Sequence, residues 1–244
     1  MVIEIQKNLE TMENYAVIDY MGSWNIGAYI VLTNKFCIVG EGFRPQTLDI
    51  IRKITKIPLL MQRIYEEDLV GCFVAANSHG VVLPPQTLDV ELMNVKRFLG
   101  DAVIVEKIEL KNTPNNAFGN FILLNDMIAV IHDNLYRRNR EAMNKIEDVL
   151  NVEVVPFKTS LTEALGSFAL VNSRALVLSP LFNENEIEEL RKLFNILPEK
   201  TIVSTVNMGS PIVRSGAVAN DYALLVGNKT SGVELARMHN VLIR

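Results

Sequence analysis

GCFVAANSHGVVLPPQTLD, residues 71–89, reads as a strand, a tight turn, a second strand and the start of a helix. Apolar residues alternate at Cys72, Val74 and Ala76 on the way to Asn77-Ser78, and Val81-Val82-Leu83 leads away from the turn. The pattern predicts a β-hairpin, because asparagine tolerates the positive φ of a tight turn. Pro84-Pro85 stops the second strand, and Thr87 is placed to cap a helix beginning near Leu88.

The same order recurs along the chain. Gly27 opens GAYIVLTNKFCIVGEG, Gly119 opens GNFILLNDMIAVIHDN, Gly166 opens GSFALVNSRALVLSPL and Gly216 opens GAVANDYALLVGNKTS. With Gly71 these glycines stand 44, 48, 47 and 50 residues apart by subtraction, and each leads through an apolar strand to an asparagine: Asn34, Asn77, Asn125, Asn172 and Asn220. The first two copies even share PQTLD, at Pro45–Asp49 and Pro85–Asp89. Five copies in phase define an internal repeat. The glycines are expected to supply a close backbone approach or positive φ, and the asparagines to supply turn chemistry.

Apolar residues make up 49% of the 244 and charged ones 21%, which provides for a globular core. No apolar run approaches the roughly 20 residues that span a bilayer, and MVIEIQKNLE lacks the basic start and apolar centre of a secretory signal. Cys37 and Cys72 both fall in predicted strands and read as buried thiols of a reducing compartment. A cytoplasmic protein is expected. The net charge of −4 and the absence of a long basic block disfavour a protein that wraps nucleic acid.

Each repeat groups as lead strand, hairpin and helix. The units run over about 15–55, 56–100, 101–150, 151–198 and 199–244, preceded by an N-terminal extension, 1–14. Within that extension VIEIQ has the composition of a strand. Leu48, Ile51 and Ile54 place an apolar stripe on the first helix, and Ser231 with Glu234 forms a capping box on the last. A unit of this size cannot bury its faces alone. The terminal units are as apolar as the middle ones, unlike solenoid caps, and each contains a helix, unlike the blades of an all-β propeller. The expected fold is α/β, a closed ring of five quasi-identical αβ units about a pseudo-fivefold axis, forming a single domain over 15–244. A closed ring leaves few sheet edges to pair, so a monomer is expected.

Such a ring is the pentein architecture, and the sequence resembles the archaeal and eukaryotic translation initiation factor 6 family. The resemblance rests on NSHGVVLP (77–84), NNAFGN (115–120) with LND (124–126), LNVEVV (150–155) and TVNMGSPIVRSGAVANDYALLVG (205–227). No long polar tail follows the fifth helix, which favours the archaeal type. The resemblance implies a ribosomal anti-association factor without cofactor or enzymatic activity. It would bind the intersubunit face of the large ribosomal subunit, through a ribosomal protein beside the sarcin–ricin loop and through rRNA. A role in late subunit maturation is implied too, with release by a GTPase and an assembly factor.

The resemblance also implies that binding centres on the residue after each repeat glycine, above all Asn120, with Ala28, Cys72, Ser167 and Ala217 in the matching places. Cys72 departs from the basic residue that some eukaryotic members carry. Phe118, where a smaller aliphatic residue is more usual, is expected as an exposed aromatic anchor. The basic cluster Arg137, Arg138 and Arg140, at a helix start whose dipole it opposes, is a candidate rRNA contact. Two alternatives remain at this point. A pentein guanidine-modifying hydrolase needs a Cys–His arrangement, but of His79, His132 and His239 the first occupies a hairpin turn beside neither thiol in sequence, and the last unit has no cysteine. A non-ribosomal interaction scaffold is the other.

Overall fold

The computed structural model describes residues 14–113 and 116–243. The expected VIEIQ strand and Asn115 of the NNAFGN stretch lie outside the described residues. Among these residues no helix is long and apolar enough to cross a membrane.

Five antiparallel hairpins form where the repeats place them. They pair β2 (Ile30–Leu32) with β3 (Cys37–Val39), β5 (Ala75–Ala76) with β6 (Gly80–Leu83), and β8 (Ile122–Leu124) with β9 (Ile128–His132). The last two pair β11 (Ala169–Val171) with β12 (Leu176–Leu178) and β14 (Ala217–Ala219) with β15 (Leu224–Gly227). A third strand joins each hairpin in parallel: β4 (Leu59–Met61) on β3, β7 (Ile104–Lys107) on β6, β10 (Glu153–Phe157) on β9 and β13 (Thr201–Val203) on β12. The fifth sheet takes its third strand from the other end of the chain, where β1 (Tyr15–Ile18) lies parallel to β15. The grouping of lead strand, hairpin and helix is therefore one strand out of step with the sheets: each lead strand completes the sheet before it. Alternation identifies a strand but not its partner.

Helices cover the sheets from outside: α1 (Pro45–Thr55), α2 (Asp89–Leu99), α3 (Asp133–Arg138), α4 (Arg140–Leu150), α5 (Glu184–Leu193) and α6 (Gly232–Leu242). Their boundaries follow local chemistry. Pro45 occupies the first turn of α1, and left-handed residues Lys56 and Asn151 end α1 and α4. Capping boxes open α5 at Asn183/Glu186 and α6 at Ser231/Glu234. Thr87 does not cap α2. The N-cap position falls on Leu88, Glu91 accepts the Leu88 N–H at 2.9 Å, and the buried Thr87 hydroxyl has no partner among the described residues.

Five apolar clusters lie between sheets and helices, and each draws on more than one unit. Ile18 and Tyr20, for example, pack in one cluster with Ile30, Leu48, Val218 and Leu225. The first hairpin strands touch in the cyclic order β2, β5, β8, β11, β14 and back to β2. The fold is thus the expected pentein ring of five αβ units around an axis.

The ring has two distinct ends. A short helical turn precedes each first hairpin strand at one end, namely Ile26–Ala28, Val70–Phe73, Phe118–Phe121, Leu165–Ser167 and Val213–Gly216. The hairpin turns lie at the other. The repeat glycines are required by close approach, not by positive φ. A Cβ on Gly71 would overlap the Gly27 carbonyl, one on Gly119 the Gly71 carbonyl, and one on Gly27 the carbonyl of Arg214. Arg214, not Gly216, therefore holds the axial position of the fifth unit. The spacing agrees, since Asn220 follows Arg214 by the same six residues that separate Gly71 from Asn77.

None of the hairpin asparagines has positive φ. Asn77 Oδ1 instead accepts the N–H groups of His79 and Gly80 at 2.9 and 3.1 Å, and Asn125, Asn172 and Asn220 repeat the pattern. In the first unit Thr33, not Asn34, does this work through its hydroxyl. The asparagine amides also donate across unit boundaries, Asn125 to the Asn172 carbonyl, Asn172 to that of Asn220, and Asn220 to that of Thr33. Turn chemistry and ring closure thus share one side chain.

Candidate functional site

Strand direction gathers the sequence-predicted site residues at the axial-turn end. The second and third strands of every sheet run from the hairpin turns back toward this end. The loops that follow β1, β4, β7, β10 and β13 therefore surround the axial turns.

Innermost is a ring of half-buried residues, each one place beyond an axial residue: Ala28, Cys72, Asn120, Ser167 and Ser215. Ser215 takes the fifth place because the axial residue there is Arg214. The Ala217 expected in that place lies fully buried in β14. The Asn120 side chain hydrogen-bonds to the Cys72 sulfur. Burial pushes the Cys72 thiol above its ordinary pKa, although Arg214 and Asn120 both act to lower it. Cys72 sits in a helical turn, not a strand. Cys37 does lie in a strand, and burial raises its thiol to about 12.

Phe118 is not an exposed anchor. It is 0% exposed and packs with Ile122, Leu135 and Leu150 in the third unit's core. The short helical turn Phe118–Phe121 points its first side chain inward, as Val70 and Val213 show in their own turns.

Around the ring, three neighbouring units raise tight turns that display apolar side chains. Met21 is 70% exposed, Tyr65 41% and Met208 77%, with Trp24 and Ile212 beside them in sequence and also exposed. Met21, Tyr65 and Met208 have φ of 50°, 61° and 63°, a left-handed backbone that bulky residues seldom adopt. Buried glutamates hold two of these turns in place. Glu91 accepts the N–H groups of Tyr65 and Glu66 at 2.8 Å. Glu234 accepts those of Met208 and Gly209 and the Thr205 hydroxyl. Burial opposes the charge on Glu234, but the Thr205, Ser231 and Gly209 hydrogen bonds outweigh it and lower its pKa to about 2.

A groove of about 560 Å³ lies on the same end between the second and third units, lined by Lys107, Lys111, Arg138, Arg140 and Lys145 with Glu109 and Glu141. Lys107 is paired with Asp89 at 2.8 Å and Arg138 with Glu163 at 2.9 Å. Lys111 and Arg140 have no carboxylate partner among the described residues, and Arg140 lies over the Tyr136 ring at 4.3 Å. Two of the three candidate arginines thus reach this groove. Arg137 does not line it, being paired with Asp133 at 2.7 Å on its own helix. Arg137 and Arg138 occupy the last turn of α3, where the helix dipole favours a cation, so only Arg140 stands at a helix start. The three lysines were missed in the sequence because they are scattered from 107 to 145 and only the fold collects them.

His132 is committed elsewhere, with Nε2 2.9 Å from the Thr159 carbonyl and Nδ1 accepting the Asn134 N–H. Among the described residues no group of three His, Cys, Asp or Glu side chains is placed to hold a metal ion.

The eIF-6 family profile matches residues 15–241. Translation initiation factor 6 of Thermococcus onnurineus is 33% identical over 225 residues, 92% of this chain and 96% of that protein. Eukaryotic translation initiation factor 6 of Encephalitozoon cuniculi is 34% identical over 224 residues, 92% of this chain and 89% of that protein. Translation initiation factor 6 of Saccharolobus islandicus is 33% identical over 229 residues, 94% of this chain and 99% of that protein. The described residues and the match cover the same five-unit ring, and the chain belongs to the eIF-6 family.

Proposed function

We propose that this protein is a translation initiation factor that binds the intersubunit face of the large ribosomal subunit through its axial-turn end. While bound it blocks joining of the small subunit by steric exclusion. The observation that carries this reading is the convergence on one end of the Asn120 ring, exposed apolar turns and a cationic groove. Exposed aromatic and methionine side chains around the inner ring suit a ribosomal protein, and cations beside them that lack a carboxylate partner among the described residues suit rRNA phosphates. Occupying an interface needs no chemistry, and the two thiols, both raised in pKa, are poor nucleophiles. The protein acts in the cytoplasm as a monomer, and its removal by a GTPase with an assembly factor would make it a checkpoint of late subunit maturation.

Co-sedimentation with separated subunits, followed by a joining assay, tests the reading. Binding to the large subunit alone and fewer joined particles are expected. Asn120→Arg should weaken that binding at least tenfold at unchanged Tm, because Asn120 is half-buried at the surface and its side chain bonds only the Cys72 sulfur among the described residues. Unimpaired binding by the variant, or loss of binding in step with Tm, would remove Asn120 from the interface. Lys111→Gln with Arg140→Gln should flatten the salt dependence of binding, and an unchanged slope would exclude the groove as an RNA contact.

A further inference from the structure

We propose that the axial channel contains a binding site for a small inorganic anion of halide size, held by Arg214. The axial position that glycine fills in the other four units here carries a guanidinium. Its Nη1 reaches across the ring and donates to the Gly71 carbonyl at 2.8 Å and to the Gly119 carbonyl at 3.3 Å, on the axial turns of the second and third units. A guanidinium has five N–H donors in a planar fork. The Nε donor and the Nη2 pair find no acceptor among the described residues, and no carboxylate pairs with the group.

Arg214 lines a chamber of about 50 Å³ inside the ring, together with Val31, Leu32, Ala76, Leu123 and Leu170. A water-sized guest needs on the order of 10–15 Å³ of such space, so the chamber admits a monatomic anion with a little water. An organic phosphate or nucleotide does not fit. Arginine stays protonated under all physiological conditions, so the charge cannot be shed on burial. The two carbonyl oxygens engage only Nη1 and leave the rest of the fork to be satisfied.

The carboxylates facing the channel are engaged at its far mouth. Asp126 takes the Ser78 N–H and hydroxyl at 2.7 Å, Asp221 takes the Ser173 N–H at 2.9 Å, and both accept from the Asn34 amide. An acceptor inside the chamber would complete the partners of Arg214, and an anion supplies both the lone pairs and the charge.

Thermal unfolding of the intact protein tests this, with sodium chloride replacing sodium gluconate at constant ionic strength. The wild type should gain Tm saturably with chloride, while Arg214→Met, which keeps the length and loses the charge, should not respond. An equal response of the two proteins overturns the site. Should Arg214→Met not fold, bromide-soaked wild-type crystals decide the matter. An anomalous peak within hydrogen-bonding distance of Arg214 Nε or Nη2 is expected, and water alone there overturns the proposal. A peak without a saturable solution response would mean binding at crystal concentration only, and would overturn it as well.

Discussion

Thr87 shows how a plausible local reading fails at the scale of one residue. A threonine two places before a helix is a reasonable cap, but Glu91 reaches back to the Leu88 N–H, and the buried Thr87 hydroxyl is left without a partner among the described residues. A buried hydroxyl without a partner costs roughly 1–3 kcal/mol. Thr87→Val, nearly the same in shape, should therefore raise stability by about 1 kcal/mol in urea unfolding. A loss of stability would mean that the hydroxyl has a partner in solution. Asn120 and Phe118 divide on the same scale. The helical turn that carries both sends Phe118 into the core and leaves Asn120 half-exposed at the surface. Neither outcome was legible while the segment read as the lead into a strand. Arg214 was hidden for a different reason, since Gly216 two residues later offered a false match to the repeat.

Elements were legible in the sequence as far as their causes are local. Alternation, Pro45 and the Ser231/Glu234 capping box mark hairpins and helix starts because each acts within a few residues. The membership of the third strands was not legible, because β4 or β13 meets its partner only after a helix has crossed over. The exposed turn at Met208 depends on a contact of the same kind. Glu234, in the first turn of α6, binds that turn through Met208 and Gly209 as well as closing its own capping box. Its pKa lies at about 2, below the ordinary 4.5, so its ionised form stabilises the fold above the ordinary value. That contribution fades as pH falls from about 4.5 toward 2. The Tm advantage of the wild type over Glu234→Gln should accordingly be full at pH 6 and shrink to little near pH 2. An advantage independent of pH would assign the effect to packing instead of charge.

On the scale of the molecule, four sheets are built in one order, hairpin, helix, strand, and the fifth is closed by β1 from the start of the chain. The strand does more than fill an edge. Ala16, Ile18 and Tyr20 are buried in a cluster shared by the first and fifth units, and Leu224 donates its N–H to the Asn14 carbonyl. Burial of a large apolar side chain contributes roughly 1.5–3 kcal/mol. Deleting residues 1–20 should therefore cost on the order of 3–6 kcal/mol, expose the edge of β15 and promote self-association. The other units indicate the remedy. β4 follows α1, β10 follows α4 and β13 follows α5, each as a parallel partner of the preceding hairpin, so a β1 segment placed after α6 would reproduce their connection. A permuted chain that starts at Met21 and carries Asn14–Tyr20 after a short linker at its C-terminus should recover most of the lost stability in urea unfolding. Recovery would show that the ring requires β1 in the fifth sheet irrespective of chain order. A permutant no more stable than the truncated protein would mean that the direct connection from β1 through the Met21–Asn25 loop to the first axial turn is itself part of the closure.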